Sequence, residues 1–427
     1  MSGVFGIDVQ HSRTVVALAE AAGGRVRTDP VGDGRRALIP NAADAAGWAS
    51  DAGSLTASSS GLHHWRVDPG GALFLRGLRA RLIAYLGGGD PTLAGGYPLC
   101  AVGEGAAGGE DAADRGTAGG EGAELRREAA AAGLPDLLTA GSDDALLCRW
   151  LTDPAGDADP GFRGPVTVVS CGERRTTIRE YEVVRTEDRL SVRRGPGRRI
   201  DAGSGAWTDR LCAEVLDRCR GVRPGSTLHL LDAALEYGAR MRHTPSGRSL
   251  PWRGVLADHL TAPLRLTRAD MAGWDEVNRA VGTITGAVAD SRSSGPRPTV
   301  VVGGLGAVWP FAADALTRFG SVWSSTEPEF DVAVGAAWWP ALSGCFIDGP
   351  AGTARPVAAV AASRPTGRLP SPPWRPTTGD SPTSAISPVS GTSPAAGEPE
   401  PPWKSASGPP PADAAPADDS TPPWRRS

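Results

Sequence analysis

Two stretches of this chain share one grammar. "FGIDVQHSRTVVALAE" (Phe5–Glu20) and "PVTVVSCGERRTTIREYEVV" (Pro165–Val184) each read as strand, short polar turn, strand. In the first, Val4–Ile7 and Thr14–Ala19 are the β-rich flanks; in the second, Leu190–Arg193 adds a third strand. Helical sequence follows both. A β-meander that occurs twice, each time ahead of helices, predicts an α/β protein built from two related halves.

The strongest helical pattern is "LTRADMAGWDEVNRAVGTITGAVADS". Thr267 is placed as N-cap with Asp270 three residues on, and Trp274, Val277, Val281, Ile284 and Val288 form one apolar stripe, so a single helix is expected here. "PTVVVGGLG" reads as a buried strand running into glycines, with helices at Phe311–Arg318 and "DVAVGAAWWPAL".

At 427 residues the chain exceeds one compact core. The pattern divides it into a first lobe at 1–162, a second lobe at 163–346 and a tail at 347–427. The tail is Pro, Ala, Ser, Thr and Gly with few aliphatics, and is expected to be disordered because it cannot bury enough surface to offset its ordering entropy. Gly103–Glu124, rich in Gly, Ala and Glu, is expected as a surface loop within the first lobe. A net charge of −4 gives no electrostatic argument for nucleic acid or an anionic membrane. With no run of 18 apolar residues and no signal-like N-terminus, a soluble cytoplasmic protein without membrane insertion is expected. Six scattered cysteines lack the short paired spacing of a metal site, and buried free thiols are expected.

The order of these pieces resembles the actin-like ATPase superfold, and most specifically the nucleotide-binding domain of the heat shock protein 70 family, over residues 1 to about 345. "GIDV" with Val15-Val16-Ala17 resembles its first phosphate hairpin, and "ELRREAAAAGLPDLL" with "DDALLCRWL" its connecting helices. "GSGAWTDRL" resembles its glycine–glycine segment, "VVVGGLGAVWP" its adenosine loop, and "EPEFDVAVGAAWWPAL" its closing helix. The resemblance implies ATP or ADP with magnesium. Asp8 would order the hydrated metal, and Ser12 and Thr14 would donate hydroxyl hydrogen bonds. Gly172 and Gly203 would lie along the phosphates, Glu236 and Arg240 at the ribose, and Glu329 ahead of the closing helix. Gly303, Gly304 and Gly306 leave backbone bare for a base or ribose, or else make a tight strand-to-helix turn.

The departures fall on phosphate chemistry. Where the family has a glycine and two threonines, this chain has Gln10, His11 and Ser12; Arg13 follows, and it and His11 could neutralise phosphates directly or belong to a solvated turn. The second hairpin reads Ser170-Cys171-Gly172-Glu173-Arg174-Arg175, without the family's aspartate and most of its glycines. Glu173 would set a carboxylate against phosphate oxygens unless Arg174 or Arg175 compensates. The only lysine is Lys404, in the tail, so the family's catalytic lysine has no counterpart; Arg76 or Gly77 stands there. Asp143 and Asp144 are possible substitutes for the family's glutamate. Phosphoryl transfer needs metal, water-orienting group and charge stabilisers together. Weak or no ATP hydrolysis is expected.

No counterpart of the family's substrate-binding domain is expected. The tail instead repeats "PPWR", "PPWK" and "PPWRR", carrying Trp374, Trp403 and Trp424. Paired prolines favour polyproline II, which presents indole and basic group at fixed spacing, and repetition raises avidity. The expectation is a chaperone-like nucleotide-binding protein that docks protein partners through its tail; the alternative is a nucleotide-free pseudo-ATPase scaffold assembled through the same motifs.

Overall fold

The computed structural model describes residues 3–10, 13–22, 25–30, 38–40, 78, 82, 99–103, 125–127, 129–130, 134, 137–153, 161–186, 189–219, 227–291 and 297–348. Ser12, Arg76, Trp374, Trp403 and Trp424, with the expected Gly103–Glu124 loop beyond Gly103 and the tail beyond Asp348, lie outside them.

In chain order the strands are β1 (Val4–Val9), β2 (Arg13–Ala22), β3 (Arg25–Pro30), β4 (Leu38–Pro40), β5 (Leu99–Gly103) and β6 (Leu138–Thr139). Helix α1 (Ser142–Thr152) leads into β7 (Arg163–Cys171), β8 (Thr176–Arg185) and β9 (Leu190–Ile200). Then come α2 (Gly205–Arg218), α3 (Thr227–Arg242), β10 (Leu250–Pro251), β11 (Arg265–Leu266), α4 (Arg268–Ala272) and α5 (Asp275–Ser291). The sequence closes with β12 (Thr299–Gly303), α6 (Pro310–Leu316), β13 (Ser321–Trp323), α7 (Asp331–Leu342) and β14 (Phe346–Asp348).

This is a mixed α/β fold with two mixed sheets, and the sheets share a strand order. The first runs β3-β2-β1-β5-β6, with β4 added beside β2; the second runs β13-β12-β7-β8-β9-β14. In each, three consecutive antiparallel strands are extended by two strands parallel to the first of the three. The hairpins match in detail. Val9 pairs with Thr14 and Cys171 with Thr176, so both turns contain four residues. Each is closed by one backbone bond of 2.8 Å, Gln10 N–H to Arg13 O and Gly172 N–H to Arg175 O.

Strand β7 is buried continuously from Val166 to Cys171 because both sheet faces are covered. Val169, Ile178, Val300 and Val302 face a core with Trp207, Leu211, Ile284 and Trp309. Val166, Val168, Tyr181, Val192 and Val301 face a second core with Leu146, Trp150 and Ala336. Helix α7 is nearly all small and apolar because it is packed on several sides, against α1, β1 and β2. All six cysteines are buried and unbridged.

One expected helix is two. Thr267 does form the capping box, its Oγ1 accepting from the Asp270 N–H (3.1 Å) and its own N–H donating to Asp270 Oδ2 (2.7 Å). The helix it starts stops at Ala272, and α5 begins afresh at Asp275. Gly273 is the weak link in propensity, and Trp274 is held half-buried with the Arg210 guanidinium 5.5 Å from its ring centre. The break falls at the Gly273 C-cap although the periodicity of the stripe continues through it. Among the described residues no helix is long and apolar enough to cross a membrane.

Candidate functional site

The two hairpin turns meet. Gln10, fixed by the turn after β1, donates from Nε2 to Asp8 Oδ1 (2.7 Å) and accepts at Oε1 from the Glu173 N–H (3.2 Å). Asp8, Gln10 and Glu173 are all buried. One carboxamide thus engages one carboxylate oxygen at the end of β1 and a backbone N–H in the turn after β7. Arg13, fully buried, reaches helix α3, where its Nε and Nη2 contact Asp232 Oδ1 at 3.0 and 2.7 Å. Thr14 is buried on β2, opposite Val9. Arg175 turns outward to exposed Asp201 (3.4 Å).

The glycines singled out by the sequence admit protein backbone. The turn Cys171–Glu173 lies between the segment ahead of α2 and the turn after β12. Its carbonyls at Gly172 and Glu173 accept from the N–H groups of Ser204 (3.1 Å) and Gly205 (2.6 Å). A Cβ at Gly203 would stand 2.5 Å from Glu173 O and 2.7 Å from Gly172 O. From the other side, Cβ atoms at Gly304 and Gly306 would stand 2.6 Å from Cys171 O and from Gly172 O. Gly304 has φ +91°, which a side chain would strain. Gly303 makes room for Leu146 Cδ1 and Asp331. Residues 301–310 are all buried.

Glu236 and Arg240 flank Gly238 on α3, and Arg240 Nη2 donates to Pro251 O (3.3 Å). The indole of Trp309 lies against Gly238, filling the space between α3 and the glycine turn. Asp143 and Asp144 are pinned at the start of α1. Arg179 Nε holds Asp143 Oδ2 at 2.6 Å, while Arg194 Nε (2.9 Å) and Nη2 (3.1 Å) grip Asp144 and the Tyr181 hydroxyl donates to it (2.9 Å). Their partners are the strands β8 and β9, so the pair fastens α1 to the sheet. Gln10, Asp232 and Trp309 escape sequence reasoning as site residues. Asp232 stands 219 positions from Arg13, and no local pattern links them. Among the described residues no group of three or more His, Cys, Asp or Glu is placed to hold a metal ion.

Ahead of α7, burial pushes the Glu329 carboxyl up to about 7 and that of Asp331 to about 6. Arg242 opposes the first shift and Arg149, 3.2 Å from Asp331, the second. A carboxyl raised on folding holds its proton more tightly in the folded chain. Its effect favours folding at pH below the ordinary 4.5 and is lost as pH rises through about 7. Glu329→Gln should therefore gain on the unaltered chain by roughly 3 kcal/mol between pH 4 and pH 8, at about 1.4 kcal/mol per pK unit. Urea unfolding at both pH values checks this; a difference independent of pH would show that the carboxyl is hydrated.

No family model matches the sequence, and a search of curated proteins finds no match.

Proposed function

We propose that the chain is an actin-fold, heat shock protein 70-like pseudo-ATPase scaffold, in which contacts within the protein replace those to a nucleotide. The shared strand order and the matched four-residue turns support the two-lobed fold. The observation that carries the functional reading is the Gln10 bridge from Asp8 to the Glu173 N–H. Magnesium would draw on the same carboxylate, and a phosphate on the same kind of backbone donor. With Arg13 committed to Asp232 and the turn carbonyls capping α2, these residues do not fit a magnesium triphosphate as they stand. The reading also assigns partner docking to the Pro-Pro-Trp-basic repeats around Trp374, Trp403 and Trp424.

Calorimetry of ATP and ADP with magnesium against the full chain is the test. No binding heat at millimolar nucleotide is expected. A micromolar dissociation constant would restore the competing reading, a weak nucleotide switch with Asp8 at the metal, which is favoured by the conserved length of both hairpin turns within the chain. For the tail, partners retained by the full chain and lost by a Trp374/Trp403/Trp424→Ala chain are those that read the motif; identical retention removes the tail from the proposal.

A further inference from the structure

Three segments distant in sequence converge at the end of α3. Arg242, the last residue of that helix, donates from Nη1 to Ala307 O in the glycine turn after β12 (3.2 Å). Its Nη2 donates to Ser325 O, ahead of α7 (2.7 Å). The two segments also touch directly, the Gly304 N–H donating to Pro328 O (2.8 Å). One guanidinium therefore serves two neutral carbonyls although carboxylates lie close by. Burial lowers the Arg242 pKa; Glu329 opposes this most strongly, ahead of Asp331 and Asp314, and Arg268 of α4 adds to it. Asp331 has its own cation in Arg149 of α1 (3.2 Å), and Asp314 of α6 has Arg268 (3.1 Å). Glu329 sits partly buried in the turn Pro328–Phe330, near Glu327 and Asp331. From the other sides, β12 and the glycine turn carry no ionisable side chain, and β2 meets this turn through Val15 and Ala17.

We propose that Glu329 and Arg242 form a proton-operated latch on the glycine turn. With Glu329 neutral, Arg242 holds both carbonyls. When Glu329 gives its proton to solvent, the guanidinium turns to the carboxylate and releases Ala307 O and Ser325 O. A charged acceptor binds a guanidinium about twice as strongly as a neutral one, which drives the exchange. Burial, with Glu327 and Asp331 adding and Arg242 opposing, raises the Glu329 carboxyl to about 7 and so sets the exchange near neutrality. The sign follows from the raised value: the neutral carboxyl favours the closed latch at low pH, and that contribution is lost as pH rises through about 7. The latch goes beyond the scaffold reading and does not depend on it.

The experiment is hydrogen exchange of the full chain, read on peptides covering 301–310 and 324–331 and corrected for the intrinsic pH dependence of exchange. Between pH 6 and pH 8 the opening of both segments should rise about tenfold, as expected for a carboxyl at about 7 when latched and 4.5 when released. Peptides from β7 and β8, which report opening of the sheet, should not follow. Glu329→Gln should keep both segments closed with no pH step. Arg242→Met should leave both open at either pH, again with no step. A step that survives in Glu329→Gln overturns the latch. So does a step of full size in Arg242→Met, which would mean that Glu329 acts through its own burial alone. An equal step in β7 would make the event global unfolding, and a step confined to 324–331 would leave the glycine turn outside its control; either overturns the latch. These last two readings come from the unaltered chain, so they decide even where Arg242→Met does not fold.

Discussion

Gly335→Ala should destabilise the chain by about 3 kcal/mol or more, although a single methyl group is added. Gly335 lies on α7 where that helix crosses α1 backbone against backbone. A Cβ there would fall well inside contact distance of the Ala145 carbonyl oxygen, 2.5 Å from the Ala145 carbonyl carbon and 3.1 Å from the Arg149 nitrogen. These neighbours are all main chain, so no side chain can rotate away and the two helices must separate. Separation in turn loosens α7 from β1, where Gly6 admits the backbone of Ala333 and Ala337 in the same manner. The control is the same exchange at Gly286, on the exposed face of α5 with nothing within 4 Å. There the removal of glycine should stabilise by about 0.5–1 kcal/mol through helix propensity and unfolded-state entropy. Urea midpoints of the two variants should move in opposite directions. A Gly335→Ala midpoint at or above that of the unaltered chain would mean that the α1–α7 crossing can widen freely.

Arg179→Ala is expected to cost about 3–5 kcal/mol, because it leaves the Asp143 carboxylate buried without its guanidinium. The pair is 2.6 Å apart, with side chains 3% and 1% exposed. Arg179 Nη1 also donates to Gly195 O (3.1 Å), and the guanidinium lies over Gly197, where a Cβ would stand 2.6 Å away. Burial alone would lower the Arg179 pKa, yet the net shift is upward because Asp143 favours the charged form. The contrast is Arg193→Ala. Arg193 and Glu182 are 3.7 Å apart with side chains 64% and 63% exposed, a geometry in which the ion pair contributes about 0–1 kcal/mol. A loss below about 1 kcal/mol for Arg179→Ala, measured by urea unfolding, would show that water enters to solvate Asp143.

Several elements were legible because their cause is local. Runs rich in β-branched residues placed both hairpins, and the Thr267–Asp270 spacing placed the capping box to the residue. The apolar stripe of α5 came through as Val277, Ile284 and Val288 in the core. That the first and second halves echo each other was visible in their strand–turn–strand order. Gly273 marks where such reasoning stops: periodicity carried the expected helix across it, and the chain instead ends one helix at Ala272 with Gly273 as its C-cap.

Which strands pair as hairpins, and that the body holds no lysine for phosphate chemistry, follow from neighbouring residues or from composition. What approaches the glycines and what the polar groups hold is set by packing between distant segments. A glycine states that backbone is bare; it does not state whether a ligand or another stretch of chain will use the space. Gln10 met the Glu173 N–H across 163 positions, and Arg13 met Asp232 across 219. Partnership at such separation is set by how distant elements pack, and no local periodicity or propensity encodes it.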